Sequence, residues 1–263
     1  MAASKRKAIV VGISGASSSG KTTLARLLRD VFPNTFILHE DDFYRPENEL
    51  PSRDGLLDWD CAEALNIPDM AKALSHIRAE GTFPPFVDSK EDQNSIGQCP
   101  VSDVKISAMK SRVAAWLEPG QPGHAFAASG LRVCLLDGFL LYTPALQPAT
   151  DLLDVKLFLL VSRARATQRR EARDGYVTIE GFWTDPPGYV DKIVWPNYVQ
   201  SHAWLFEDGN VEGRLKSTVL EEKGIKALPA AWEGKGLDLD METTFEWAVE
   251  TMMDKLGDFS EER

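Results

Sequence analysis

Residues 8–23 of the chain, AIVVGISGASSSGKTT, decide its fold. The run Ala8–Ile13 is continuous and rich in β-branched residues, which is typical of a strand buried on both faces. Gly15–Thr22 fits the pattern G-x-x-x-x-G-K-[ST], and leucines at helical spacing follow over Thr22–Asp30. A strand, a glycine-rich turn and a helix in this order predict a loop whose backbone N–H groups face a phosphate at the positive end of the helix.

The residues of this loop are predicted to hold a nucleoside triphosphate. Lys21 would reach the β- and γ-phosphates, and the Thr22 hydroxyl would take a place on Mg²⁺. A chance Gly/Ser turn is the alternative, and the flanking strand and helix disfavour it. We find no base-reading N-K-x-D stretch or D-x-x-G switch in the expected order, which disfavours a GTPase. The predicted ATP-binding residues of the loop are Gly15, Ala16, Ser17, Ser18, Ser19, Gly20, Lys21, Thr22 and Thr23.

Further short apolar strands alternate with helical patterns along the chain. This alternation predicts an α/β, three-layer fold of the P-loop kinase type, with a parallel sheet of about five strands and helices on both faces. The predicted strands after the first are Thr35–His39, Arg132–Asp137, Val155–Val161 and a short fifth at Ala203–Phe206. The predicted helices after the first open at Pro68–Asp69 and span about Asp103–Leu117 and about Met241–Leu256. We expect one domain over residues 1–263, with a surface insertion at about 84–130 and a short arginine-rich lid at about 163–190.

Composition narrows the partners. The chain has 29 Lys and Arg residues against 40 Asp and Glu residues, which gives a formal net charge of -11. This charge disfavours binding to nucleic acid and to anionic membranes. A bound phosphate would therefore need a local cluster of cations. Cys61, Cys99 and Cys134 are widely spaced and odd in number, which favours reduced thiols. The start resembles no signal peptide, and no apolar run has the length of a membrane span. We expect a cytoplasmic protein, with access to the nucleus left open, that is a monomer or a weak homodimer.

Acidic residues follow two predicted strands, at the sheet edge where ligands of open parallel sheets bind. Asp41 comes directly after the second strand, where it could orient or deprotonate an acceptor hydroxyl and contact Mg²⁺. Its neighbour Asp42 is more easily explained as the cap of a turn. Asp137 ends the third strand, where it could hold metal-bound water or serve a turn before Gly138. The predicted metal-binding residues are Thr22, Asp41 and Asp137.

Five arginines between residues 163 and 173 reverse the local sign of charge in this acidic chain. Arginine forks suit bidentate phosphate contacts and neutralise charge in a transition state. Arg163 and Arg165 are interpreted as a solvated helix face. Arg169, Arg170 and Arg173 precede a Gly/Pro-rich loop that could close over the nucleotide.

The stretch GLLDWDCAEAL at residues 55–65 has two interpretations. Trp59 could begin a core helix that Asp60 caps. Alternatively, a ring face and a carboxylate are held side by side to grip a ligand. The stretch alone does not decide between them.

Five motifs together resemble those of the nicotinamide riboside kinases, relatives of the uridine kinases. The resemblance covers somewhat over half of the chain and implies ATP- and Mg²⁺-dependent transfer to the ribose 5′-hydroxyl of nicotinamide riboside. The product would be nicotinamide mononucleotide, in NAD salvage. In chain order the motifs are GISGASSSGKTTLA, EDDFYRPENELP, GLLDWDCAEALN, LLDGFLLY and DPPGYVDKIVWPNYV.

The resemblance also implies roles for individual residues. Asp41 would be the acceptor-side base and a metal contact, Trp59 would face the nicotinamide, and Asp60 would bind the ribose hydroxyls. Arg169 and Arg173 would face ATP and Arg170 the acceptor, with the loop Asp208–Arg214 near the adenine. The predicted catalytic residues are Asp41, Lys21 and Arg169. The predicted substrate-binding residues are Asp41, Asp42, Phe43, Tyr44, Trp59, Asp60, Arg170 and Tyr176.

A substrate with a fixed positive charge favours the ligand-gripping interpretation of Trp59. An indole is the best aromatic partner for a cation, and the contact contributes about 0.5–2 kcal/mol. Neighbouring carboxylates, Asp58 included, would also favour the pyridinium ring over a neutral uracil.

The chain departs from the family pattern in three places. Asp137 stands where the family commonly has Glu. The longer spacing between Arg173 and Asp185 leaves open whether Tyr176 or Trp183 supplies a second aromatic contact. Residues 84–130 have no counterpart that we can place. Two alternatives stay open, namely a uridine/cytidine-type nucleoside kinase and a non-catalytic nucleotide-binding regulator that uses the 103–117 helix as a partner surface.

Overall fold

A parallel sheet of five strands forms the centre of the protein, in a computed structural model that describes residues 6–89, 97–172, 175–178, 181–232 and 237–259. The sheet has the strand order β2-β5-β1-β6-β9, and β3–β4 and β7–β8 form two antiparallel hairpins outside it. The strands are β1 (Ala8–Gly15), β2 (Thr35–His39), β3 (Ser52–Arg53), β4 (Leu56–Leu57), β5 (Arg132–Gly138), β6 (Val155–Leu159), β7 (Tyr176–Thr178), β8 (Gly181–Trp183) and β9 (Ile225–Ala227).

Helices cover both faces of this sheet, as the sequence predicts. Alternate residues of β1 enter two separate apolar cores, with Val10 on the side of α2, α5 and α7 and Val11 on the side of α1, α3 and α10. None of the helices in the described ranges combines the length and apolarity needed to cross a membrane. The helices are α1 (Lys21–Val31), α2 (Ile67–Glu80), α3 (Asp103–Leu117), α4 (His124–Ser129), α5 (Gln147–Thr150), α6 (Arg163–Glu171), α7 (Trp195–His202), α8 (Ser217–Lys223), α9 (Pro229–Trp232) and α10 (Met241–Asp258).

The register of the central strands brings three sequence motifs to one edge. Ser14 at the end of β1 is level with Gly138 at the end of β5, and His39 at the end of β2 is level with Asp137. The P-loop, the acids after β2 and the acid at the end of β5 therefore lie together. This is the edge where the sequence places the ligand.

The predicted fifth strand is wrong. Ala203–Leu205 forms a 3₁₀ turn after α7, and the fifth strand is β9, which pairs with β6. The run AWLF is apolar because it is buried beneath β6, where Phe206 contacts the ring of Phe158. A four-residue apolar run does not distinguish a buried turn from a strand, whereas the true strand carries a lysine at its centre and gives a weaker signal.

Helix α3 is built into the outer layer rather than placed loosely on the surface. Met109, Val113 and Trp116 are buried in the core that α1 and α10 share. Lys105 pairs with Glu246 of α10 at 2.6 Å. The apolar face that the regulator hypothesis needs for a partner is covered by this chain itself.

The burial of α3 can be tested with one substitution at two positions. Val113 is fully buried and Val104 is 81% exposed on the same helix. Because both lose the same two methyl groups, Val113→Ala should lower the free energy of unfolding by about 1.5–3 kcal/mol more than Val104→Ala. Urea denaturation measures the difference, and equal values would mean that α3 does not contribute to the core.

Candidate active site

The P-loop has a backbone that only glycine can adopt at its first position. Gly15 has φ +146°, and a Cβ there would lie 2.4 Å from the carbonyl oxygen of Leu159 on the neighbouring strand. Gly20, which precedes α1, has φ +100°. The close approach of β6 and the left-handed turn together bend the chain into the predicted loop.

The interior of this loop is suited to a polyphosphate. The Lys21 ammonium donates to the carbonyl oxygens of Gly15 at 3.0 Å and Ala16 at 2.9 Å, so it is held inside the loop. No side chain caps the first turn of α1, where Thr22 and Thr23 lie. Among the described residues, the buried hydroxyls of Ser18 and Ser19 have no hydrogen-bond partner. Donors that are buried without a partner fit an anion that supplies the acceptors.

The acid at the end of β5 is held by its neighbours in the ionised form. Asp137 Oδ1 lies 2.6 Å from Nδ1 of His39, and the Thr22 hydroxyl donates to the same carboxylate. Burial acts to raise the pKa of Asp137, but His39, Thr22 and Lys21 outweigh it and lower the pKa. Thr22 and Asp137, two of the three predicted metal-binding residues, are therefore in contact.

Asp41 and a second acid that the sequence analysis missed lie beside this pair. Burial, and then the charge of Asp137, raise the pKa of Asp41. Glu40 is fully buried, and burial together with Asp41 raises its pKa well above the ordinary value. Its carboxylate accepts from the Leu140 N–H at 3.3 Å. In the sequence, Glu40 stands between a predicted strand and Asp41, a position that is typical of an exposed strand end. No local pattern therefore indicated that Glu40 is buried.

These oxygens fit Mg²⁺ bound largely through phosphates and water. Among the described residues, no group of three or more His, Cys, Asp or Glu could hold a metal ion without other ligands. Mg²⁺ in phosphoryl-transfer sites usually keeps several waters and needs one or two protein oxygens besides the phosphates. The Thr22 hydroxyl and the two carboxylates, Asp41 and Asp137, provide oxygens of that kind.

Arg170 connects the P-loop, the loop of residues 58–61 and the segment that follows β8. Its guanidinium donates to Ser17 Oγ at 2.8 Å, to both oxygens of Asp60 at 3.1 and 3.3 Å, and to both oxygens of Asp185 at 2.6 and 3.1 Å. The Arg170 side chain is 8% exposed, so it forms its ion pairs in the interior and does not lie on a solvated helix face. Its neighbour Arg169 donates to the Ser18 carbonyl at 3.1 Å, also on the P-loop.

Trp59 lies in an aromatic cluster next to this arginine. The ring is 6% exposed, and it meets Tyr44 edge-on at 5.1 Å and Trp183 of β8 at 5.6 Å between centroids. It also packs with Leu50 and Tyr189, and it begins no helix. Its indole N–H is buried without an acceptor among the described residues. The ring thus combines a core position with an unsatisfied donor, which a satisfied core tryptophan would not have.

The remaining predicted residues take varied places. Phe43 packs in the core beside α2, away from the aromatic cluster, and Asp42 lies with it in a 3₁₀ turn after β2. Arg163 pairs with Asp191 on the exposed surface, as its interpretation as a solvated residue requires. Arg173 lies outside the described residues, and so does the side chain of Tyr176.

A small cavity lies beside Arg169 and the P-loop. The loop Asp208–Arg214, which the resemblance places near the adenine, does not line it. The wall comes instead from the chain after β9 and from the start of α10, which the sequence analysis did not single out. The described lining residues are Ser19, Phe158, Leu159, Leu160, Arg169, Leu228, Asp238, Leu239, Met241 and Thr244.

The parallel sheet, the P-loop and the acids at its edge define a P-loop kinase that acts on a small molecule. The chain is similar over nearly its whole length to the nicotinamide riboside kinase of Schizosaccharomyces pombe, with 34% identity over 251 residues, 95% of this chain and 99% of the relative. The Saccharomyces cerevisiae nicotinamide riboside kinase is 32% identical over 80% of this chain and 84% of its own. The chain belongs to the nicotinamide riboside kinase family.

No family model matches the chain. A solved structure described as a possible uridine kinase from Bacillus stearothermophilus aligns over 76% of this chain and 85% of its own, with 16% identity and a TM-score of 0.38.

The carboxylate beside Trp59 should make nucleoside capture depend on pH. Burial raises the pKa of Asp60 to about 6, against the lowering effect of Arg170 and with further raising by Asp185 and Asp58. A raised pKa means that the carboxylate becomes neutral as the pH falls through about 6. We expect kcat/KM for the nucleoside to fall in that range, because a neutral acid is a poorer acceptor for sugar hydroxyls. In Asp60→Asn the fall near this pH should be absent, and an identical profile in both proteins would assign it to another group.

Proposed function

We propose that the chain transfers the γ-phosphoryl group of ATP to the ribose 5′-hydroxyl of nicotinamide riboside and forms nicotinamide mononucleotide, a step of NAD salvage. The observation that carries the proposal is the Trp59–Asp60 pair, which adjoins a guanidinium that also contacts the P-loop at Ser17. A ring and a sugar held there would lie next to the triphosphate loop. The relatives described above are named for the same riboside.

The charge balance on the acceptor side supports a cationic substrate. Asp60 and Asp185 share the guanidinium of Arg170, so two negative charges meet one positive charge away from water. Burial makes this imbalance costly, since charges interact more strongly where the effective dielectric is low. A pyridinium ring supplies the second positive charge, whereas a uracil does not.

The indoles of Trp59 and Trp183 are suited to hold that ring from two sides. Their centroids lie 5.6 Å apart with a 55° tilt. A planar ring stacked between two others needs about 7 Å, twice a contact distance of about 3.5 Å, so the β7–β8 hairpin would move outward on binding. Trp183 is held by Asp185, which accepts from its indole N–H at 2.9 Å, and the same carboxylate binds Arg170. We therefore assign the second aromatic contact to Trp183.

The transfer step needs positioning more than a strong base. Phosphoryl transfer passes through a loose transition state in which the attacking oxygen is aligned with the leaving oxygen. Asp41 lies at the sheet edge near Lys21 and Asp137, where it would orient the 5′-hydroxyl and accept its proton. Lys21 would neutralise charge that develops on the phosphates, and Arg169 would do the same from the lid. Thr22, Asp41 and Asp137 would hold Mg²⁺, which when bound would supply further neutralisation of phosphate charge.

We propose that the adenine lies near the loop Asp208–Arg214, as the resemblance implies. The cavity beside Arg169 and Ser19, at about 20 Å³, has room for about one water molecule and not for a purine. In this arrangement the chain acts as one kinase domain, with residues 163–190 as the lid and residues 84–130 as an addition to the helical layer. A monomer or weak homodimer in the cytoplasm is part of the same proposal.

The proposed substrate is tested with a panel of nucleosides. With saturating ATP and Mg²⁺, we expect kcat/KM for nicotinamide riboside to exceed that for uridine and cytidine by at least about tenfold, since a cation over an indole contributes about 0.5–2 kcal/mol and a uracil carries no charge. A coupled ADP-release assay measures all three. Equal or reversed values would reject the riboside and leave a pyrimidine nucleoside kinase of the same fold.

The proposed role of Asp41 as the base is tested by comparing a variant of Asp41 with a variant of Asp42. Asp41→Asn should lower kcat by about 10²–10⁴-fold, since it removes the proton acceptor. The raised pKa of Asp41 means that its charge opposes folding at neutral pH, so the neutral amide should not lower Tm. Asp42→Asn is the comparison, and we expect it to retain most of the activity, because Asp42 lies in the 3₁₀ turn after β2 and we interpret it as a turn residue rather than a substrate contact. If both variants lose activity equally, Asp41 has no special role.

A further inference from the structure

Asp58, considered above only for its charge, forms a buried pair with Asn197. Both side chains are buried, and each residue is 6% exposed. The Asn197 amide donates to both carboxylate oxygens of Asp58, at 2.8 and 2.9 Å. They lie 139 positions apart in the chain, so α7 is joined here to the loop that carries the substrate-binding pair.

The two side chains continue into a longer chain of hydrogen bonds. Asp58 Oδ1 also accepts from the backbone N–H of Asp60 at 3.0 Å. On the other side, the carbonyl oxygen of the Asn197 amide accepts from Arg53 of β3 at 3.0 Å. Asparagine has both a donor and an acceptor group, and the site uses both in a fixed order.

A second contact holds the same loop from the same direction. The Tyr189 hydroxyl accepts from the backbone N–H of Trp59 at 3.1 Å and donates to the carbonyl oxygen of Leu57 at 2.8 Å. Residues 58–61 belong to no helix or strand. The positions of Trp59 and Asp60 therefore depend on side chains from residues 189 and 197 rather than on local secondary structure.

We propose that Asn197, acting through Asp58, is a positioning residue that sets the place of the Asp60 carboxylate and the Trp59 ring for the nucleoside. The proposal rests on the proposed function, because it assumes that these two groups bind the substrate. A buried network with every group satisfied is rigid, and one missing partner leaves an unsatisfied group that shifts to find water. The loss would displace the nucleoside contacts and leave the triphosphate loop in place.

The test compares two disrupted variants with their reciprocal exchange. Asn197→Asp places a carboxylate against Asp58, and Asp58→Asn places an amide against the Asn197 amide. Each single change should raise KM for nicotinamide riboside roughly tenfold, the effect of one lost buried polar partner, with KM for ATP within about twofold. In the double variant Asp58→Asn/Asn197→Asp, the new amide can donate to the new carboxylate and still accept from the Asp60 N–H. KM should return to within about threefold of wild type.

A control of similar burial separates positioning from general stability. Thr150 is 7% exposed on α5, away from the site, and donates to the carbonyl oxygen of Leu146 at 3.0 Å. Thr150→Val should lower Tm without moving KM for the riboside. If the single variants lower Tm and leave KM unchanged, or if the double variant folds without recovering KM, the proposal is overturned.

Measurements on the wild-type protein distinguish failure of the proposed substrate from failure of the proposed role of Asn197. If wild type phosphorylates uridine instead of nicotinamide riboside, the proposed function fails. The loss and recovery of KM are then measured for uridine, and they still decide whether Asn197 positions the nucleoside site. Should one single variant fail to fold, the other single variant and the exchange give the same decision.

Discussion

The guanidinium of Arg170 is the interaction on which the rest of the site depends. It is buried, and it joins three parts that are far apart in the sequence, at Ser17, Asp60 and Asp185. A buried arginine is retained only when carboxylates replace its water, and removing one partner of such a pair usually costs about 3–5 kcal/mol. Two carboxylates on one guanidinium also leave a negative excess. Burial raises the pKa of Asp60 to about 6 against the lowering effect of Arg170, and the charge of Asp185 adds a smaller raising effect. In the proposed function, the same ion pair would hold residues 163–190 against the site and favour a cationic ligand.

The sheet brings this arginine to the reacting groups. Because β1, β2 and β5 are parallel and in register at their ends, the P-loop, Asp41 and Asp137 come to one edge without long connecting loops. Helix α6 starts just after β6, the other neighbour of β1, and carries Arg169 and Arg170 back over the P-loop. The acceptor loop has no secondary structure of its own at Trp59, so contacts from Tyr189 and Asn197 hold it. The sheet edge and the loop of residues 58–61 therefore lie on either side of the proposed site of transfer.

Sequence reasoning predicted the position in the fold of those candidate residues that carry local patterns. The P-loop has a fixed spacing, and strand ends followed by acids are visible as short motifs, so Lys21, Asp41 and Asp137 could be placed. Long-range contacts have no such pattern. Glu40 gave no sign of burial, the pairing of Asp58 with Asn197 spans 139 positions, and β9 was weaker in sequence than the apolar turn mistaken for it. Trp59 fits both of its interpretations, as a core residue and as a ligand contact. Its ring is packed in a core, and its indole N–H has no acceptor among the described residues.

The claim that charge selects the substrate is tested most directly by changing charge alone. Reduction of nicotinamide riboside to its dihydro form removes the positive charge of the ring and keeps the sugar, the carboxamide and nearly the same shape. The measurement is kcat/KM for both forms with saturating ATP at pH 7.5. We expect the oxidised form to be preferred at least about tenfold, or about 1.4 kcal/mol, since both indole contact and carboxylate excess favour a cation. Equal values for the two forms would contradict selection by charge and leave ring shape as the basis of recognition.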